Sequence, residues 1–177
     1  MNHRFIATMA TASVSIAGAA NAANVNVSAD ITTSVTWTAD NVYNLTDQIY
    51  VQPGASLTIE AGTVIASTPT ANGSGSLAVT RGGKIFANGT QESPIIFTST
   101  NDTATWVDGD PKTGTWREAA NEWGNLTIMG RAYVSNSFVD GNSATFGNNE
   151  SPMEGLIPDF AGDPNTIYGG TDDDYSA

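Results

Sequence analysis

From residue 31 onward the chain alternates short apolar runs with clusters of Gly, Pro, Asn and Ser. The runs are Ile49-Tyr50-Val51, Leu57-Thr58-Ile59, Val64-Ile65, Leu77-Ala78-Val79, Ile85-Phe86, Ile95-Ile96-Phe97, Leu126-Thr127-Ile128 and Tyr133-Val134. They are rich in β-branched and aromatic residues and too short for helices, so they predict strands separated by turns. No segment beyond the N-terminal leader sustains a helical period over three turns. Trp116 to Trp123 (WREAANEW) predicts about two helical turns inside a loop. The chain reads as all-β.

A repeat sharpens this reading. Ser56 to Ile65 is SLTIEAGTVI and Ser76 to Ile85 is SLAVTRGGKI, an offset of 20 residues with Leu57/Leu77, Ile59/Val79, Gly62/Gly82 and Ile65/Ile85 in register. A third copy lies at Leu126, Ile128 and Val134, with Arg131 where the first two have glycine. In each copy the first two apolar residues are two apart, so both point to one face of a strand. One such coil cannot bury its inner face alone, whereas stacked coils bury it together. The expected fold is an all-β, right-handed parallel β-helix, incomplete at about three coils. Leu57, Leu77 and Leu126 are expected in one internal ladder and Ile65, Ile85 and Val134 in another. A loop insertion over about residues 99–122 is needed to reach the third copy. A β-sandwich whose strands share the spacing is the alternative.

The N-terminus reads differently. Arg4 precedes the uncharged, small-residue stretch Phe5 to Ala20, and Ala20-Asn21-Ala22 is an A-x-A site. This is the pattern of a cleavable secretory signal peptide over residues 1–22, which predicts an exported protein, secreted or at a cell surface. The stretch is too short and too diluted by Thr, Ser and Gly to anchor in a membrane, and no later stretch is apolar enough to span one. Residues 23–42 are then expected as an N-terminal cap with a first strand, and 43–177 as the coils.

The strings VQPGASLTIEAGTVI, GGKIFANGTQESPIIFTS and WGNLTIMGRAYVSN, with the weaker MEGLIPDF and YGGTDDDYSA, carry a family resemblance. From about Tyr43 to its end the chain resembles the N-terminal part of a family of secreted bacterial β-helix proteins. That family is pectin-lyase-like in fold and mostly of unassigned function. The resemblance implies that further coils follow YGGTDDDYSA, so that the acidic segment 140–177 is a point of truncation without a closing strand.

Charge and composition narrow the chemistry. Removing Arg4 with the leader leaves five Lys and Arg against 18 Asp and Glu, a formal charge of −13. Such a surface repels nucleic acid and attracts cations. There is no Cys, which excludes disulfides and thiol catalysis, and the one His, His3, leaves with the leader. Histidine general-base chemistry and His-ligated metals are thereby excluded from the mature chain.

What remains is carboxylate, Arg, Trp and hydroxyl chemistry. Asp172, Asp173 and Asp174, with Asp159 and Asp163 nearby, are candidate Ca²⁺ ligands, though their spacing is not that of an EF-hand. A solvated acidic turn is the competing reading, and the same pair of readings applies to Asp108-Gly109-Asp110. Glu118 and Glu122 would share one face of the expected short helix. Arg81 and Arg131 are candidate bases for lyase chemistry, but neither sits in a lyase-like motif. Trp106 and Trp116, set among Asn, Asp and Thr, are candidate glycan-binding residues. The competing reading is that they pin the loop to the coils while Trp123 packs inward.

Two functions stay open at this level. One is a non-catalytic secreted or cell-surface β-helix that binds polysaccharide or matrix, or serves as a scaffold. The other is the N-terminal fragment of a polysaccharide lyase or glycoside hydrolase.

Overall fold

A computed structural model describes residues 22–70, 75–134 and 149–171. The chain winds through three parallel sheets in strict rotation. Face I carries β1 (Ala23–Val27), β3 (Asn41–Leu45), β6 (Val64–Ser67) and β9 (Ile96–Ser99). Face II carries β4 (Gln48–Val51), β7 (Ser76–Val79) and β10 (Leu126–Ile128), extended by a bridge from Ile31 to Val51. Face III carries β2 (Val35–Trp37), β5 (Ser56–Ile59) and β8 (Lys84–Ala87). Every pairing among these strands is parallel. The fold is a parallel β-helix and not a sandwich; the described residues make three turns and begin a fourth. Residues 23–40 carry β1, the Ile31 bridge and β2, one turn of the stack.

The interior is a stack of aliphatic rungs. Leu45, Ile49, Val51, Leu57, Ile59, Ile65, Leu77 and Val79 are fully or almost fully buried and belong to one cluster. Each contributes about 1.5–3 kcal/mol of transfer free energy. Trp37 and Tyr43 stack at 4.7 Å between centroids and close the core at the junction of faces III and I. Buried Thr63 and Thr80 satisfy their hydroxyls on carbonyls at the corners, Thr63 on Glu60 O at 2.8 Å and Thr80 on Val51 O at 2.8 Å. Among the described residues no buried side-chain polar atom lacks a partner, as a protein interior requires.

The ladders differ from those expected. Leu77 lies between Ile49 and Leu126 on face II. Leu57 lies between Val35 and Ile85 on face III, and Ile65 between Tyr43 and Phe97 on face I. Leu77 and Leu126 do share a ladder; Leu57 does not join them, and Ile65, Ile85 and Val134 form none. The physical reason is that two different corners use the same turn. Glu60 to Thr63 turns the chain from face III to face I, and Thr80 to Gly83 turns it from face II to face III. Each closes with a backbone hydrogen bond from its fourth residue to its first. Each places glycine third, Gly62 at φ +83° and Gly82 at φ +87°, the conformation in which a type II turn favours glycine. The 20-residue offset therefore joins two different corners, with the face I to face II corner between them, whereas a turn of the helix takes 22 residues from Tyr43 to Ile65 and 28 from Ile49 to Leu77.

A second layer covers the outside of face II. Tyr50, Ala78, Met129 and Leu156 form a separate buried cluster, with Met153 and Tyr168 against it. This layer is residues 149–171, which contain an antiparallel pair, β11 (Glu150–Pro152) with β12 (Ile167–Gly169). The acidic C-terminal region, read from sequence as lacking a closing strand, thus contains two strands that pack on the coils. Gln48 exchanges two hydrogen bonds with the backbone of Ile157, at 2.8 and 3.0 Å. Arg81 pairs with Glu150 and donates to the Gly169 carbonyl at 2.9 Å. Among the described residues no helix is long and apolar enough to cross a membrane.

Candidate functional site

The long connection of the fourth turn, residues 100–125, leaves face I at Ser99. Ser99 caps a single helical turn, α1 (Thr100–Thr103), by accepting the Asp102 N–H at 3.2 Å. Asp102 in turn accepts from the Thr98 hydroxyl at 2.6 Å. This Ser-x-x-Asp sequence is a helix-start signal that a reading of the chain alone passes over. Conversely, Trp116 to Trp123 is not helical. Asn121 sits at φ +57°, outside the helical region, and Glu122 turns to Arg117 rather than lining up with the exposed Glu118. The two glutamates do not form a carboxylate pair.

Beyond α1 the loop is fastened by its own hydroxyls. Val107 N–H donates to Thr113 Oγ1 at 2.8 Å, and Thr115 N–H donates to Thr105 Oγ1 at 3.0 Å. Asp110 caps a 3₁₀ turn at Pro111–Thr113, accepting from Lys112 N–H at 2.9 Å. Gly114 fits closely against Trp106: a Cβ there would lie 3.0 Å from the indole nitrogen.

The loop so held walls a groove of about 730 Å³ along the outside of face I. Its floor is the outward ladder Asn24, Val42, Val64 and Ile96, which follows directly from the strand register. Asn44 lies beside this ladder, and Thr103 and Trp106 stand at the wall. Trp106 is half-buried and borders the groove. Trp116 is not in this groove. It borders a smaller depression of about 300 Å³ with Arg117, Glu122 and Trp123 and is 88% exposed, so it does not pin the loop. Trp123 does pack: its ring meets Phe97 edge-on at 5.7 Å and it lies against the core. The two candidate tryptophans thus flank α1, whose Thr100 and Thr103 face the groove while Asp102 faces the depression.

Residues 29–158 match the family described as the pectate-lyase like beta helix domain. The chain belongs to that family. No curated protein and no solved structure matches it. For a pectate-lyase-like β-helix domain the membership accounts for the fold and leaves the ligand to be argued from the site.

The remaining sequence candidates fall elsewhere on this β-helix domain. Asp172, Asp173 and Asp174 lie outside the described residues. Asp163 is buried and caps the turn at Pro164–Thr166, accepting from Asn165 N–H at 2.9 Å and from Asp159 N–H at 3.3 Å. Burial, reinforced by the carboxylates of Asp163, Asp159 and Asp30, pushes the Tyr50 phenol well above its usual pKa. Among the described residues no three His, Cys, Asp or Glu side chains gather closely enough to hold a metal ion. Arg81 and Arg131 border a cleft of about 420 Å³ with Glu150, between the coils and the C-terminal layer. Arg81 is committed there to Glu150 and the Gly169 carbonyl.

Proposed function

We propose that this protein is an exported, non-catalytic glycan-binding β-helix that works at or outside the cell surface. The observation that carries this reading is the groove along face I. It is long, open and walled by a hydroxyl-fastened loop, and it sets an indole beside amides and hydroxyls. A sugar ring offers an apolar face and a rim of hydroxyls, and such a surface matches both. Export rests on the leader sequence. In keeping with it, β1 begins at Ala23, directly after the A-x-A site, so cleavage there leaves the coils whole.

The test is affinity electrophoresis of the mature chain through gels containing polysaccharides. Retardation by at least one polysaccharide, weakened in Trp106→Ala and in Asn44→Ala with unchanged circular dichroism, supports the reading. Unsaturated products or new reducing ends released from any of them would replace binding by catalysis. Intact-mass analysis of the protein exported from a bacterial host tests the leader, with Ala23 expected as the first residue.

A further inference from the structure

We infer that the groove on face I takes a neutral glycan and rejects polyuronates. This inference rests on the glycan-binding reading above and specifies its ligand class.

The groove lining holds one ionisable side chain, Asp108, and no Lys or Arg; cleavage before Ala23 adds only the single α-ammonium of that residue, beside Asn24 at the groove's edge. Its polar residues are Asn24, Asn41, Asn44, Thr100 and Thr103, with Trp106 beside them. Lys112, one residue beyond Pro111, does not line it. Amides and hydroxyls exchange hydrogen bonds with uncharged sugar hydroxyls in both directions. They do not compensate the desolvation of a row of carboxylates, which requires Arg or Lys or a bridging metal ion.

Among the described residues no Lys or Arg lines the groove, and one α-ammonium at its edge does not match a row of carboxylates. The mature chain carries −13, so its long-range field opposes an approaching polyanion. Divalent-ion bridging needs several oxygen ligands from clustered acids, and among the described residues no such cluster of three exists. Arg81 and Arg131 lie instead in the separate cleft beside the C-terminal layer, and Arg117 is paired with Glu122 in the depression beyond α1. The floor is also partly apolar through Val42, Val64 and Ile96, which suits the C–H faces of neutral sugar rings.

The experiment uses the mature chain against galactan, xylan and mixed-linkage glucan on one side and polygalacturonate and alginate on the other, each at low and high salt, with and without Ca²⁺. Retardation by a neutral polysaccharide is expected, insensitive to salt and to Ca²⁺ and reduced about tenfold by Trp106→Ala. Asn24→Lys, at an exposed groove position, is expected to gain polyuronate binding that salt abolishes. Wild-type binding to a polyuronate in preference to every neutral probe, lost in Trp106→Ala, would overturn the inference while leaving glycan binding intact. Binding to neither class would remove both.

Discussion

Arg117 and Glu122 form a two-pronged ion pair at the foot of the long insertion, with Nη1 donating to Oε1 and Nη2 to Oε2. The same carboxylate accepts from the Ser99 hydroxyl at 2.6 Å and the Asn101 amide at 3.2 Å. The outgoing end of β9 and the returning end of the loop are thereby tied at one point. The stretch between, including Trp106, is tied to face I at that knot and braced internally by the hydroxyl contacts beyond α1.

The knot is acid-labile. Hydrogen bonds from Arg117, then Ser99, hold the Glu122 carboxyl down at about 2, from 4.5. A lowered folded-state pKa means that the stabilisation is complete above about 4.5 and is lost as pH falls towards about 2. Tryptophan emission is expected to change over that window in the wild type. Glu122→Gln is expected to show the loosened-loop emission already at neutral pH and no step of its own there.

Leu77 is a sensitive position for charge. It is fully buried between Ile49 and Leu126. Leu77→Asp is expected to cost at least about 4 kcal/mol and to unfold the coils. Thr58→Asp, on the outward side of β5, is expected to cost under about 1 kcal/mol. Thermal melting of the two variants decides it, and equal losses would contradict the ladder.

Gly83 is expected to tolerate a side chain worse than Gly62. A Cβ at Gly83 would lie 2.4 Å from the Val51 carbonyl oxygen, which is backbone and pairs within the corner. At Gly62 the nearest atoms are side chains at 3.6 and 3.8 Å, and the cost is the left-handed conformation alone, about 1–2 kcal/mol. Melting temperatures of Gly83→Ala and Gly62→Ala should fall in that order, the first lower.

The C-terminal layer should detach before the coils do. Glu150→Ala leaves Arg81 with only the Gly169 carbonyl, and hydrogen exchange at Ser151, Met153 and Gly169 is expected to quicken. Exchange at Leu57 and Ile65 should stay slow. Uniform acceleration across both regions would show that the layer and the coils open as one unit.

The sequence shows the rungs but not their addresses. Alternation within Leu57-Thr58-Ile59 and Leu77-Ala78-Val79 identifies inward residues correctly, because the pleat dictates it. Which rung stacks on which depends on corner lengths, and two corners with the same glycine turn look like one repeat. Ala78 illustrates a second limit: its outward side is buried only because Met129 and Leu156 arrive from distant segments. At the candidate site, Trp106 and Trp116 were legible as aromatic residues in a polar loop. Their separation by α1 was not, since it depends on the local contacts of Ser99 and Asp102.

One corner of the coil lengthens while another does not. From face II to face III the connections are residues 52–55 and 80–83; from face I to face II they are 46–47, then 68–75, then 100–125. Length variation at the second corner leaves the stacked rungs untouched, because the loop departs after Ser99 and returns before Leu126 with the register of β10 on β7 preserved. The connection from face III to face I also grows, from 38–40 to 60–63 to 88–95, so the stack behaves as a mounting rail whose permissive sockets lie at the two ends of face I. Recognition sequences can be exchanged between Ala104 and Trp116, by evolution or by grafting, while the Arg117–Glu122 knot and Trp123 keep their contacts with the coils.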